Sequence, residues 1–182
     1  MSARAESAAE SEEEKFLDAN GKLKRKLIRG LGEECLIHYD EAERPVLEEM
    51  RVSAAGKADY SSRTEIDYRP NGSLKSKKCS SSYGEERLLE FDEAGQKVSE
   101  RLEIRRHDGS TYYSMMRMEY YEDGKLRQRF FEDSDGEKRR TEYDKSGRKK
   151  LEDLRFVSPG KSGYVARTEY TYTTDEVFFR SS

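Results

Sequence analysis

The chain has 182 residues, 40% of them charged and 33% hydrophobic, with no Trp and a formal net charge of −3. That length suits one domain, and so small an apolar fraction argues against a thick core of two packed sheets. No run of 18 apolar residues is present, which excludes a helical membrane span. A pI near 5.7 argues against a nucleic-acid partner.

Met1–Lys15 holds five acids and two bases and is rich in Ala and Ser. It reads as a solvated, disordered acidic tail, with a short helix as the other reading. It lacks the apolar stretch of a secretory signal peptide. Beyond it, residues 16–182 balance 33 bases against 33 acids and read as a single β-repeat domain.

Within that domain Tyr39, Phe91 and Tyr143 stand 52 residues apart, and so do Phe16, Tyr68, Tyr120 and Tyr172. The two series interleave at spacings of 23 and 29. A fixed period marks a repeat architecture whose units bury apolar surface against their neighbours. The short half of the unit reads Tyr68-Arg-Pro-Asn-Gly-Ser-Leu and Tyr120-Tyr-Glu-Asp-Gly-Lys-Leu, with Asp18-Ala-Asn-Gly-Lys-Leu matching after a one-residue shift. It reaches a second turn at Gly32, Gly84 and Gly136. The long half opens Tyr39-Asp-Glu-Ala, Phe91-Asp-Glu-Ala-Gly and Tyr143-Asp-Lys-Ser-Gly, with Glu43 standing in the first copy where glycine stands in the others. Its second turn falls at Ala55-Gly56-Lys57, His107-Asp108-Gly109 and Pro159-Gly160-Lys161.

Four turns per unit predict four extended segments. Between the turns apolar residues alternate with polar ones, as at Thr64, Ile66 and Tyr68 or Met116, Met118 and Tyr120. That period belongs to half-buried strands, and Asn-Gly, Asp-Gly and Ser-Gly are hairpin signals. Val46–Val52 and Lys150–Phe156 also show helical spacing, so a short helix is the rival reading there. The expected fold is all-β: an antiparallel β-meander of repeated hairpins, about 12 strands in an open twisted or curled sheet. One face is expected to be apolar, with Leu102, Ile104, Met118, Tyr120 and Leu126 at the middle of a thin core.

Motifs for chemistry are missing. His38 and His107 have no ligand partners at metal spacing. Cys35 and Cys79 occupy different repeat positions and read as reduced thiols of a cytosolic protein. Asn71-Gly-Ser73 matches a glycosylation sequon but reads better as a turn. No nucleophile elbow, Walker loop or dinucleotide glycine set is present. No catalytic, cofactor or metal residue is therefore expected.

Two charge ladders stand out. Bases recur at Lys24 and Lys26, Lys75 and Lys77, Arg127 and Arg129, and strict alternation puts them opposite the face of Leu23, Leu74 and Leu126. Acids recur at Glu48, Glu100 and Glu152. The basic ladder reads either as a stripe for an acidic partner or as a soluble outer face with cross-strand ion pairs. The second reading fits neighbouring strands that carry as many acids as bases.

The pattern Phe91-Asp-Glu-Ala-Gly95 and Tyr143-Asp-Lys-Ser-Gly147 resembles the YD repeat of Rhs-type proteins. Asp123-Gly-Lys-Leu126 followed by another hairpin is similar to the MORN-like repeats of the YwqK-type antitoxin family. Both resemblances run over about residues 16–173. Both imply a β-meander, and the second implies neutralisation of a toxin by direct binding. The departures are the three-and-a-fraction repeats, against the many of Rhs shells, and the alternating spacing, which is not the regular MORN period.

Three functions are consistent with this reading. The first is a non-enzymatic, cytoplasmic protein-binding module that offers its sheet to a protein partner or a second copy, of antitoxin or immunity type in one version. Its partner-binding residues would be Tyr68, Tyr120, Tyr172, Lys75, Lys77, Arg127 and Arg129. The second is a carbohydrate or cell-envelope binder using Tyr112, Tyr113 and Tyr121. The third is an enzyme with a cleft on the curled sheet.

Overall fold

A computed structural model describes residues 11–53, 58–157, 163–172 and 177–181, the last segment as backbone only. Residues 1–10 and the turns around Gly56 and Gly160 lie outside the described residues. The strands are β1 Glu12–Leu17, β2 Leu23–Gly30, β3 Glu33–Tyr39, β4 Pro45–Val52, β5 Tyr60–Tyr68, β6 Leu74–Ser81 and β7 Glu85–Phe91. They continue with β8 Lys97–Arg105, β9 Thr111–Tyr120, β10 Leu126–Asp133, β11 Glu137–Tyr143, β12 Lys149–Phe156, β13 Tyr164–Tyr172 and β14 Val177–Ser181. All 14 form one antiparallel sheet in strict chain order. The β-meander is thus as expected, with 14 strands in place of about 12. Both segments open to a helical reading are strands, β4 and β12. Glu12–Lys15, from the segment read as tail, belong to β1 and pair with β2.

Every pair of contacting strands is a pair of chain neighbours. The sheet is therefore open and one layer thick among the described residues. Thirteen intervals at ~4.8 Å give it a width of ~62 Å measured along the hydrogen bonds. Its β1 edge carries Glu12, Glu13 and Glu14, charges of the kind that discourage edge-to-edge pairing.

Local turn chemistry drives the meander. At Asp18–Lys22 the N–H of Gly21 donates to the Asp18 carbonyl (3.0 Å), and the Asp18 N–H donates to the Lys22 carbonyl (2.8 Å). The same pair of bonds recurs at Asp40–Arg44, Arg69–Ser73, Asp92–Gln96, Tyr121–Lys125 and Asp144–Arg148. This is a three-residue hairpin loop closed by a left-handed residue. That residue is glycine except at Glu43, where φ is 57°. Left-handed geometry costs a residue with a Cβ roughly 1–2 kcal/mol. The Glu43 carboxylate offsets part of this by accepting from the Leu23 N–H at 2.9 Å.

Bulges beside these turns change the face assignment. The register shifts between Asp67 and Tyr68 and between Leu126 and Gln128, so that Leu74 pairs with Tyr68 and Leu126 with Tyr120. Leu74 and Leu126 thereby join the tyrosine-bearing face. Strict alternation does not survive a bulge, because the extra residue reverses the parity of everything beyond it. In the first copy Leu17, and not Phe16, pairs with Leu23. Phe16 pairs with Arg25 on the opposite face. A one-residue slip flips a side chain through the sheet, and it removes Phe16 from the series of Tyr68, Tyr120 and Tyr172.

The expectation of a single apolar face is also corrected. Ile66 (6% exposed) and Met118 (8%) are buried on the tyrosine face, while Leu27 and Leu151 (8% each) are buried on the other. Of the residues expected at the middle of the core, Met118 is buried, whereas Leu102, Ile104, Tyr120 and Leu126 are half-buried. With no second layer, only neighbouring side chains on the same face can cover an apolar group. A long Lys, Arg or Glu stem does this while its charge stays in water.

Thr141 is 0% exposed, and its hydroxyl has no hydrogen-bond partner. It sits between Arg129 and Glu152 in the ladder, where the repeat places Ile37 between Lys26 and Glu48 and Leu89 between Lys77 and Glu100. A buried hydroxyl without a partner destabilises by about 1–3 kcal/mol. Thr141→Val, close in shape and apolar like its repeat equivalents, should raise stability by about 1 kcal/mol. Ile66→Ala should lower it by about 2–4 kcal/mol. Paired thermal melts check both signs, and a Thr141→Val protein that melts earlier than its parent would show that the hydroxyl is satisfied in solution.

Candidate functional site

The aromatic residues that the repeat highlights are engaged at the turn-bearing end of the sheet. The Tyr68 hydroxyl donates to the Pro45 carbonyl at 3.1 Å, and the Tyr120 hydroxyl donates to the equivalent Lys97 carbonyl at 2.6 Å. The Arg44 guanidinium lies 4.5 Å from the Tyr68 ring centroid, and Arg148 lies 4.6 Å from that of Tyr172. Burial raises the pKa of the Tyr68 and Tyr120 phenols, which keeps both as protonated donors. One residue further on, the Tyr121 hydroxyl donates to the Tyr143 carbonyl at 2.8 Å. Arg69 does the equivalent work one repeat earlier, donating to the Phe91 carbonyl and to the Asp92 carbonyl at 3.0 Å. These groups tie each hairpin to the next. All three tyrosines read as partner-binding are half-buried.

The basic ladder divides between the faces. Lys75, beside the bulge, bridges to Asp67 at 2.8 Å on the face opposite the tyrosines. Lys77, directly across from Ile66 and Leu89, lies on the tyrosine face. Arg129 shares that face, opposite Met118 and Thr141, whereas Arg127 is an exposed residue at a bulge. The acidic ladder of Glu48, Glu100 and Glu152 also lies on the tyrosine face. Glu100 meets Lys97 at 2.7 Å and Arg87 at 3.6 Å, and Glu152 accepts from the Tyr170 hydroxyl at 3.0 Å. Bases and acids thus alternate every second strand on one face. This face carries mixed charge and no continuous basic stripe.

The tyrosines read as a carbohydrate platform do not share a face. Tyr112 pairs with Ile104 on the tyrosine face, next to exposed Tyr113 on the other, and Tyr121 lies in the turn after β9. A further series went unread: Tyr60, Tyr112 and Tyr164 are also 52 apart and pair with Val52, Ile104 and Phe156. The spacing that reveals the other aromatics finds these too. Tyr60 packs on Tyr83 with ring centroids 5.5 Å apart, and Tyr164 is 55% exposed.

Among the described residues no group of His, Cys, Asp and Glu is arranged to hold a metal ion. His38 Nε2 lies 3.9 Å from Glu49. Cys35 in β3 and Cys79 in β6 are free thiols three strand intervals apart, ~14 Å, beyond the reach of a disulfide. Burial pushes the Cys35 thiol up from its ordinary pKa. No helix among the described residues is long and apolar enough to cross a membrane. No protein-family model matches the chain, and no curated protein is significantly similar to it.

The turn carboxylates are the other electrostatic feature. Backbone N–H groups donating to Asp18, Asp40, Asp123 and Asp144 hold these carboxyls below the usual range. Asp144, for example, accepts from the Arg148 N–H at 2.9 Å and the Ser146 N–H at 2.8 Å. A carboxyl with a depressed pKa stabilises the fold at every pH above its unfolded value, and that contribution is lost as pH falls through the folded value. The melting temperature should therefore be flat from neutrality down to about pH 4.5 and drop below about pH 4. Asp144→Asn keeps an acceptor but cannot titrate, so its melting curve should fall less steeply with acid. Parallel acid profiles for parent and variant would refute this. Tyr120→Phe should cost about 0.5–1.5 kcal/mol through loss of the bond to the Lys97 carbonyl, read in a denaturant titration.

Proposed function

We propose that the chain is a non-enzymatic protein-binding module that presents its sheet to a protein partner or to a second copy. The observation that carries this reading is surface area. The protein exposes 13524 Å², whereas a compact monomer of 21.2 kDa exposes about 9,100 Å². A sheet with both faces uncovered among the described residues contributes to this excess, and tyrosines, methionines and arginines are common on such faces here. These are the residue types enriched in protein interfaces. Repeat sheets offer extended surfaces suited to the task. The resemblance of Asp123-Gly-Lys-Leu126 and its companion turns to YwqK-type repeats supports an antitoxin or immunity role in the cytoplasm.

A tagged full-length chain recovered from its own cells, with co-purifying proteins identified by mass spectrometry and sized by sedimentation, tests this. The expected result is a stoichiometric protein partner or a defined oligomer. A strictly monomeric chain with nothing bound, or a hydrolytic activity abolished by one carboxylate substitution, would replace the binding reading.

A further inference from the structure

Three large exposed apolar residues share the face opposite Tyr68 and Tyr120 over strands β9–β13. Tyr113 is 54% exposed, Phe130 37% and Val165 71%, and all three lie on that face. A groove of about 680 Å³ opens on that face, with Met115, Phe130 and Val165 in its lining. Contiguous exposed apolar patches on a protein surface mark interaction sites.

The charge of the groove is unusual for this chain. Five bases of its lining, Arg117, Lys138, Arg140, Arg155 and Arg167, project from this face against three acids, Glu119, Glu132 and Asp153, while Arg139 turns to the opposite face, in a protein of net charge −3. The ion pairs leave positive charge over. Glu132 serves both Arg117 at 3.6 Å and Lys138 at 3.4 Å. Arg167 is paired with Asp153 and Glu169, and Arg140 with Glu142 while it also lies 5.9 Å from the Phe130 ring centroid. Arg155 has no carboxylate within 4.0 Å among the described residues. At the other end of the sheet the comparable hollow over β1 and β2 is lined by Glu12, Glu13, Glu14 and a single base, Arg29. The surplus of bases over acids in the lining around Phe130, centred on Arg155 and the shared Glu132, is thus a local feature and does not reflect overall composition.

Resting on the protein-binding reading, we propose that this groove takes an acidic, extended segment of a partner protein with one large apolar side chain. The apolar side chain would lie among Met115, Phe130 and Val165. Its flanking carboxylates would meet Arg155 and the Arg117–Lys138 pair, which share one acid. Buried aromatic and arginine anchors are the typical carriers of interface affinity. From β9 to β13 the groove crosses four strand intervals, ~19 Å, which an extended segment of about six residues spans.

Fluorescence anisotropy of the full chain with a labelled Gly-Glu-Asp-Phe-Glu-Asp-Gly peptide tests this. Saturable binding is expected, weakened roughly tenfold or more by Arg155→Glu and by Val165→Asp. Both positions are surface-facing, and thermal melts confirm that each variant folds. Arg51→Glu, on the same face but in β4, should bind like the parent. Replacing the peptide's Phe by Ser, or its acids by amides, should abolish binding. No binding, equal binding of the amide peptide, or variants that bind unchanged would overturn the proposal. So would a single-stranded oligothymidylate that displaces the peptide at equal charge, which would mark a general polyanion patch. If the full chain still captures its cellular partner while carrying Arg155→Glu, the groove is wrong and the binding-module reading stands. If neither parent nor variant captures any protein, the module reading itself fails.

Discussion

The constraint on which everything else depends is that each strand can find its hydrogen-bond partners only in its chain neighbours. All 13 strand pairings are sequential and antiparallel. Each described short loop closes a hairpin before the next begins, so the register of those pairs is set locally by turn and bulge. Stability in such an array is close to a sum of unit and nearest-neighbour terms, and folding can start at any hairpin and spread. The staples from Tyr68, Tyr120, Tyr121 and Arg69 to carbonyls of the neighbouring hairpin strengthen these nearest-neighbour terms. They work at the turn end, where the bulges interrupt the regular ladder.

A one-layer sheet has no interior in the ordinary sense. Burial must come from side chains lying sideways over their neighbours, and this favours long charged residues over compact apolar ones. The 40% charged composition follows from that requirement. So does the alternation of Lys77, Leu89 and Glu100 across three strands, in which an apolar residue lies between opposite charges. Exposed ion pairs of this type contribute little individually, ~0–1 kcal/mol. Their stems nonetheless keep water away from the apolar residues between them.

The same architecture is what the proposed binding role rests on. Among the described residues both broad faces are free of other elements, and the repeat places equivalent residues along one face. The opposite face departs from that pattern over β9–β13, where the exposed Phe130, Val165 and Arg155 accumulate. The departure is specific to the last units, since the positions one repeat before Phe130 and Arg155 are Lys78 and Glu103. A repeat supplies scaffold, and divergence within it supplies specificity.

The 52-residue aromatic period and the Asp-Gly turns determined, without any coordinates, that this chain is an antiparallel meander with neighbours paired in order. Those signals are local: a glycine or Asx turn and a period of two act within about ten residues. The face on which each residue lies was only partly legible. Bulges beside Tyr68, Leu126 and Phe16 each shift parity by one, and no residue type announces a bulge. The split of Lys75 from Lys77, and the move of Phe16 to the far face, follow from those shifts. The partnerless Thr141 hydroxyl and the basic hollow around Phe130 were likewise decided in three dimensions. They depend on which side chains of adjacent strands come to lie side by side on one face.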